Sequence, residues 1–327
     1  MLRIGLMGAA KIAPSAIIAP CKASSTATVT AIGARDRARA EAFAAKHGIA
    51  RIHDSYDALL ADPDIDALYI PLPNGLHGKW AIKAVQAGKH VLCEKPLAAN
   101  EAEAQAMADA AAQAGRVMME AFHYRYHPLA QRMKDIVDSG ELGETREIFS
   151  TMCFPLPLFG DIRYNFGLGG GAMMDAGCYA VHMARLVGGG EPEVLSAKPL
   201  LRNPEVDRAM KADLRFPSGA IGHVHVSMWS WKLLELSLRV VGSKGEMRVS
   251  NPIAPQAFHK MVVKTEAGKR VERFDKRPSY AYQLDAFVAA CVQGAPMLTP
   301  ASDGVKNMRV IDAIYRAAGM PIRQPAR

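Results

Sequence analysis

Glu94, Lys95 and Pro96 stand where an apolar strand runs out. Gly88 suits the left-handed position that stops a helix, His90 to Cys93 reads as a short apolar strand, and Pro96 prevents a simple continuation. Ligands of open α/β sheets bind beyond the carboxyl ends of the strands. A lysine placed there is a candidate for proton chemistry, against the plain alternative of a surface Glu-Lys pair that does little. A second group lies upstream. Gly8, Ala10 and Ala13 occupy the three positions of a Gly-x-Gly-x-x-Gly/Ala turn, between an apolar strand at 2–7 and a helical run beginning near Pro14. Gly8 makes the tight turn, Ala10 lets the backbone approach a pyrophosphate, and Ala13 permits close helix–strand packing. Lys11 and Ile12 complete the loop, and the free N–H groups of the helix start face the phosphates.

The next strand, 28–33, ends in Ala34-Arg35-Asp36-Arg37-Ala38-Arg39. An NAD site ordinarily carries an acidic residue near this strand end. An NADP site has a small residue there and arginine for the 2′-phosphate. Ala34 with Arg35, and Arg39 one turn later, fit NADP rather than NAD, and the planar guanidinium suits a phosphate. Arg37 belongs to a solvated helix face. The loop Pro71-Leu72-Pro73-Asn74-Gly75-Leu76-His77 also follows a strand. Asn74 and His77 are candidates for contact with the nicotinamide end, with Pro71 stiffening the loop, and Asn74 is equally suited to cap a helix.

These residues need elements to hold them. Helices are predicted over 37–47, 55–61, 75–87 and 101–114, the last capped by Asn100 and stopped by Gly115, with strands at 66–70, 90–93 and 117–120. This alternation makes the N-terminal part an α/β doubly wound parallel sheet of Rossmann type. From 144 onward the pattern changes to strict alternation. Met210, Ala212, Leu214 and Phe216 face one way, and so do Leu234, Leu236, Leu238 and Val240. Strands at 145–152, 194–200, 207–216, 220–231 and 258–264 complete a large open, mainly antiparallel sheet in an α+β domain. Helices at 176–187, 280–291 and 302–318 are expected to cover its apolar face. The expected domains are 1–121 for the nucleotide and 122–327 for substrate and oligomerisation. In the second, the flexible Gly167–Gly171 loop precedes a helix on which Asp175, Tyr179 and His182, spaced by four and three, share one face. A core tyrosine with a satisfied hydroxyl is the plain alternative for Tyr179. His223, His225, Trp229 and Trp231 are expected on one side of a strand, as an interface patch and not a metal site.

Composition excludes several classes. Half the residues are hydrophobic and 22% are charged, as in a globular chain. The net charge of +8 favours anionic ligands, but no basic run or basic–aromatic stripe points to nucleic acid. The five cysteines are scattered, with no metal-binding spacing, which predicts a reduced, cytoplasmic setting and no metal. No signal peptide or membrane span is expected, since no uncharged apolar run reaches about 18 residues.

Gly8-x-Ala10-x-x-Ala13, Pro71-x-Pro73-Asn74-x-x-His77 and Glu94-Lys95-Pro96 together resemble the Gfo/Idh/MocA oxidoreductases. The resemblance continues through the segment from Glu120 to Pro128 and the segment from Gly169 to Tyr179. It is nearest the branch of glucose–fructose oxidoreductase, dimeric dihydrodiol dehydrogenase and NADP-linked xylose dehydrogenase. It implies that Lys95 and Tyr179 are the catalytic pair, where many relatives have histidine in place of the tyrosine. It also implies a homodimer or homotetramer built through the C-terminal sheet, and a sugar or cyclic diol as substrate. Lys95 and Glu94 would also border the cofactor, and Arg163, Asp175 and His182 would orient substrate hydroxyls. Because a free tyrosine titrates at about 10, a neighbouring ammonium is what would make Tyr179 an effective base. The rival expectations are an inositol or amino-sugar substrate, or a sensor that binds NADP without chemistry.

Overall fold

The computed structural model describes residues 1–326, in two compact units: 1–123 with 280–305, and 124–279 with 306–326. In the first, β1 (Leu2–Met7), β2 (Ala27–Gly33), β3 (Arg51–His53), β4 (Ala67–Ile70), β5 (His90–Cys93) and β6 (Met118–Glu120) form a sheet in the order β3-β2-β1-β4-β5-β6. Every neighbouring pair in it is parallel. The central strands are apolar on both faces, because helices cover both: Ala67 to Ile70 are fully buried. Strand order reverses between β1 and β4, so the loops after them flank the switch point where such sheets bind ligands.

Three helix caps take shape as side-chain hydrogen bonds, Asn100 among them as expected. Asp36 accepts from Arg39 N at 3.0 Å to start the Arg37–His47 helix, and Ser55 accepts from Ala58 N at 3.0 Å. Asn100 accepts from Glu103 N at 2.9 Å at the head of Glu101–Ala114. These oxygens satisfy backbone donors that the first helical turn leaves over.

The second unit is an eight-stranded sheet. Its strands are β7 (Thr145–Cys153), β8 (Glu193–Asn203), β9 (Val206–Arg215), β10 (Ile221–Ser227), β11 (Glu235–Gly242), β12 (Gly245–Ser250), β13 (Lys260–Thr265) and β14 (Gly268–Glu272). Their order is β14-β13-β12-β11-β7-β10-β9-β8, antiparallel except where β7 lies beside β10. Met210, Ala212, Leu214, Val224, Val226, Leu238, Val240, Met247 and Val249 form its buried face, as the alternation predicts.

Three expectations are corrected here. Trp229 and Trp231 are not on a strand. β10 ends at Ser227, where Met228 N and Trp229 N both turn to the carbonyl of Arg208, and Trp231 is left 80% exposed. Leu234 likewise precedes β11 and is exposed. The helix expected over 280–291 to cover the second sheet falls in the first unit, where Tyr280 lies tilted against His123 and Thr299 exchanges hydrogen bonds with the Glu120 backbone. Finally, β14 and the Pro128–Asp138 helix were not foreseen. β14 is short and rich in charge, so it carries no apolar period.

Side-chain ion pairs fasten these unforeseen elements to each other. Glu272 on β14 receives Arg132 Nε of the Pro128–Asp138 helix at 2.8 Å and Arg270 Nε at 2.7 Å, while Arg270 also pairs with Glu141. Hydrogen bonding from Arg132, then Arg270, against the opposing cost of burial, holds the Glu272 carboxyl at about 2 instead of 4.5. A depressed folded pKa stabilises the native state above the unfolded value, and the stabilisation is lost as pH falls through the folded one. The stability difference between wild type and Glu272→Gln should therefore be constant above pH 4.5 and shrink toward pH 2. Urea midpoints measured across that range check it. A difference that persists undiminished at the acid end would contradict the assignment.

Candidate active site

The loop after β1 turns at Gly8, whose φ of +91° is a conformation that side chains rarely adopt. A Cβ there would also lie 3.3 Å from the Tyr56 hydroxyl and from Leu72 of the loop after β4. Arg39 reaches back from its helix to donate to the carbonyl of Ala9 at 2.9 Å. Burial pushes the Tyr56 phenol up, and the nearby Arg35 charge opposes the shift. Ala34 is buried, and Asp36, the one acidic group nearby in sequence, is turned to its helix as the N-cap. The end of β2 thus presents two guanidinium groups beside a glycine turn, a donor set that fits a phosphorylated ribose and offers a ribose diol no carboxylate. Arg37 points elsewhere and pairs with Glu41 and Asp54. Lys11 and Ile12 lie exposed at the end of the loop. Tyr56 escaped sequence reading, because nothing in its spacing links it to a loop some fifty residues earlier.

The carboxyl ends of β4 and β5 carry the next group. Glu94 accepts from the Tyr69 hydroxyl at 2.6 Å and from its neighbour's backbone, Lys95 N, at 3.3 Å. The Lys95–Pro96 peptide is cis, and Leu97 N donates to the buried Glu120 carboxylate at 2.8 Å. His77 is fully buried, with Nδ1 facing Pro96 O at 2.9 Å and Nε2 facing Leu72 O at 2.8 Å. Burial lowers its pKa and the two carbonyls oppose that shift, with the ring lodged between the Pro71–Pro73 segment and the turn after Lys95. Asn74 opens a short 3-10 turn, Asn74–Leu76, in the same segment. His123 lies under the field of Lys95. Burial first, and the lysine charge second, lower its pKa to about 3, which keeps the ring neutral against Tyr280 at 4.0 Å between centroids.

In the second unit, the helix carrying Tyr179 begins with a π-helical turn, Met173–Gly177, before the α-helix Cys178–Gly188. Such turns recur at functional sites because they re-aim side chains within a helix. Asp175 in that turn pairs with Arg163 Nε at 3.1 Å, and Arg163 also contacts Asp161. The Asp175 charge is the leading reason the guanidinium holds its proton above its ordinary range. Tyr179 and His182 are both buried against Tyr124. The tyrosine rings are 6.0 Å apart, and the Tyr124 hydroxyl bonds His182 Nδ1 at 2.5 Å. The substrate-site expectations thus fall into two adjoining pairs, Arg163 with Asp175 and Tyr179 with His182. Tyr124 went unforeseen, although it lies in the quoted segment from Glu120 to Pro128, because its partner is 58 residues away. Among the described residues no three His, Cys, Asp or Glu side chains converge to hold a metal ion, and no helix is long and apolar enough to cross a membrane.

Comparison with known proteins bears on both units. Residues 2–122 match the model of an oxidoreductase family with an NAD-binding Rossmann fold, and 130–248 match the GFO/IDH/MocA C-terminal domain. The chain is 38% identical over 318 residues to the D-xylose 1-dehydrogenase (NADP(+)) 2 of Haloferax volcanii, covering 97% of each. It also resembles the crystal structure of a 3-ketoreductase from Actinomadura kijaniata in complex with NADP and TDP-benzene, with a TM-score of 0.89, 28% identity and 97% of each chain covered. An aldose-aldose oxidoreductase from Caulobacter crescentus, complexed with glycerol, gives a TM-score of 0.90 at 28% identity, again over 97% of each chain.

If Arg39 serves a 2′-phosphate, Arg39→Ala should weaken NADP binding about tenfold, the size of one lost charge-assisted hydrogen bond, and leave NAD binding within about twofold. Fluorescence titration with each nucleotide measures both constants. An equal loss for the two would assign Arg39 to the shape of the loop instead.

Proposed function

The chain belongs to the Gfo/Idh/MocA oxidoreductase family, and on that premise we propose that it oxidises a CH–OH carbon of an aldose, reversibly, with Lys95 and Tyr179 as its acid–base pair. It is an NADP-dependent oxidoreductase. NADP, when bound, supplies the hydride acceptor. The first unit holds the nucleotide through the Gly8 loop, Arg35 and Arg39, and the second holds the sugar. Tyr179 takes the hydroxyl proton, and the Lys95 ammonium stabilises the oxygen as it sheds that proton. In the reverse direction Tyr179 returns the proton to a carbonyl. Tyr124 and His182 restrain the tyrosine ring, and Arg163 and Asp175 orient neighbouring hydroxyls.

The observation that carries this reading is the Arg163–Asp175 pair one turn ahead of Tyr179. A guanidinium and a carboxylate held together offer donors and an acceptor side by side, the complement of adjacent hydroxyls on a ring. The xylose dehydrogenase and the aldose oxidoreductase among the relatives support an aldose over an inositol. We further propose a homodimer or homotetramer through the open face of the second sheet, near which Leu234 and Phe258 are exposed. The five free cysteines support a reducing, cytoplasmic setting.

The test is a panel of aldoses, inositols and cyclic dihydrodiols with NADP, followed by the absorbance of the reduced nicotinamide. Turnover of an aldose is expected, and Lys95→Ala and Tyr179→Phe should each lower kcat by about 100-fold or more. Near-normal turnover by either variant at saturating sugar would remove that residue from the chemistry. Tight NADP binding with no turnover of any panel member would overturn the enzyme's proposed substrate class.

A further inference from the structure

A fully buried ion pair sits behind the substrate residues of the second unit. Asp207, in β9, meets Arg323, in the segment after the Ala301–Ala317 helix, at 2.8 Å, and neither side chain is exposed. Burying two charges is expensive, and an apolar pair of similar volume is often as stable. The contacts around the pair suggest what it does. The Arg323 guanidinium lies 3.9 Å from the centre of the Tyr315 ring and 5.3 Å from that of Phe166. Its Nε donates to Gly170 O at 2.8 Å and its Nη1 to Pro321 O at 2.9 Å. Asp207 accepts from the Tyr315 hydroxyl at 3.0 Å and, through its other oxygen, from Met173 N at 2.7 Å.

Both partners therefore grip the same stretch of backbone, on either side of Gly171. That glycine has φ of +138°, and a Cβ on it would lie 2.3 Å from Asp207 Oδ1 and 2.5 Å from Arg323 Nη2. Its N–H donates to Arg163 O at 2.8 Å and its carbonyl accepts from Asp175 N at 3.0 Å. One residue thus joins Arg163 to Asp175 through the main chain, and the Asp207–Arg323 pair clamps that residue.

We infer that Asp207, Arg323 and Tyr315 are positioning residues that set Arg163 against Asp175, so that the C-terminal segment governs how the enzyme holds its sugar. The inference rests on the reading that Arg163 and Asp175 meet the substrate. Nothing in it concerns the nucleotide, so the two affinities should separate.

Two conservative variants test it in the full chain. Arg323→Lys keeps the charge and loses the planar fork, and Tyr315→Phe removes one hydroxyl. Each is assayed for KM and kcat with the aldose that wild type turns over, for NADP affinity by fluorescence, and for amide exchange of the peptide spanning 163–175. Misplacing a binding group by a fraction of an ångström should raise the sugar KM about tenfold in Arg323→Lys and about threefold in Tyr315→Phe. NADP affinity should stay unchanged, and the amides of 171–175 should exchange faster. Sugar KM within about twofold of wild type in the folded variants, or an equal loss of NADP affinity, would overturn the inference and leave only an anchor for the tail. Should Arg323→Lys fail to fold, Tyr315→Phe decides. Should wild type oxidise no sugar, the proposed function fails, while amide exchange still decides: unchanged protection of 171–175 refutes the clamp.

Discussion

A parallel sheet buried on both faces confines its polar side chains to the strand ends, and the first unit is organised by that confinement. At the amino ends the charges neutralise one another. Arg3 pairs with Asp64 and Asp66, Arg51 and His53 pair with Asp62, and Lys89 donates to the carbonyls of Asp62 and Ile65 at 2.7 and 2.8 Å. At the carboxyl ends the arrangement differs. Arg35 and Arg39 stand beside a glycine turn, and Lys95 follows a carboxylate already engaged by Tyr69. The amino end is laced by its own ion pairs, and the carboxyl end is where open sheets of this kind bind ligands.

Burial also acts on the histidines near Lys95. His77 and His123 both have lowered pKa values, chiefly because an imidazolium would be costly in those surroundings. His123 therefore stays neutral near the lysine, and His77 lies between its loop and the neighbouring one. The second unit achieves order differently. There an open sheet supplies a flat apolar support, a π-helical turn breaks the phase of the helix on it, and a buried ion pair sets the backbone just before that turn. The costliest electrostatic feature of the unit lies behind the residues proposed to bind substrate, where a small displacement matters most.

Much of this was legible in the chain. The cap at Asn100 and the stop at Gly115 act within a few residues, so propensity reports them directly. The alternation of Met210 to Phe216 marks a half-buried strand for the same reason: the period is local. Local signals fail where the partner is remote. Ser279–Gln293 has an apolar pattern that says it will be buried but not against what, and its place in the first unit depends on Thr299 and Tyr280 meeting residues near 120. β14 is held by arginines of a helix 140 positions away and of its own strand, and its own sequence reads as a polar loop.

The sequence by itself determined the class of fold, because the alternation of strand and helix signals is local, and it located the Gly8–Ala13 turn, the arginines after β2, and the lysine and tyrosine to which the resemblance gives a role. Only the tertiary structure decided what stands around them. Tyr56 beside Gly8, Tyr124 against Tyr179 and His182, and Arg323 gripping the turn before Asp175 are pairings across tens to hundreds of residues. Such pairings are set by how layers pack, and no periodicity along the chain encodes which distant side chain will fill a given space.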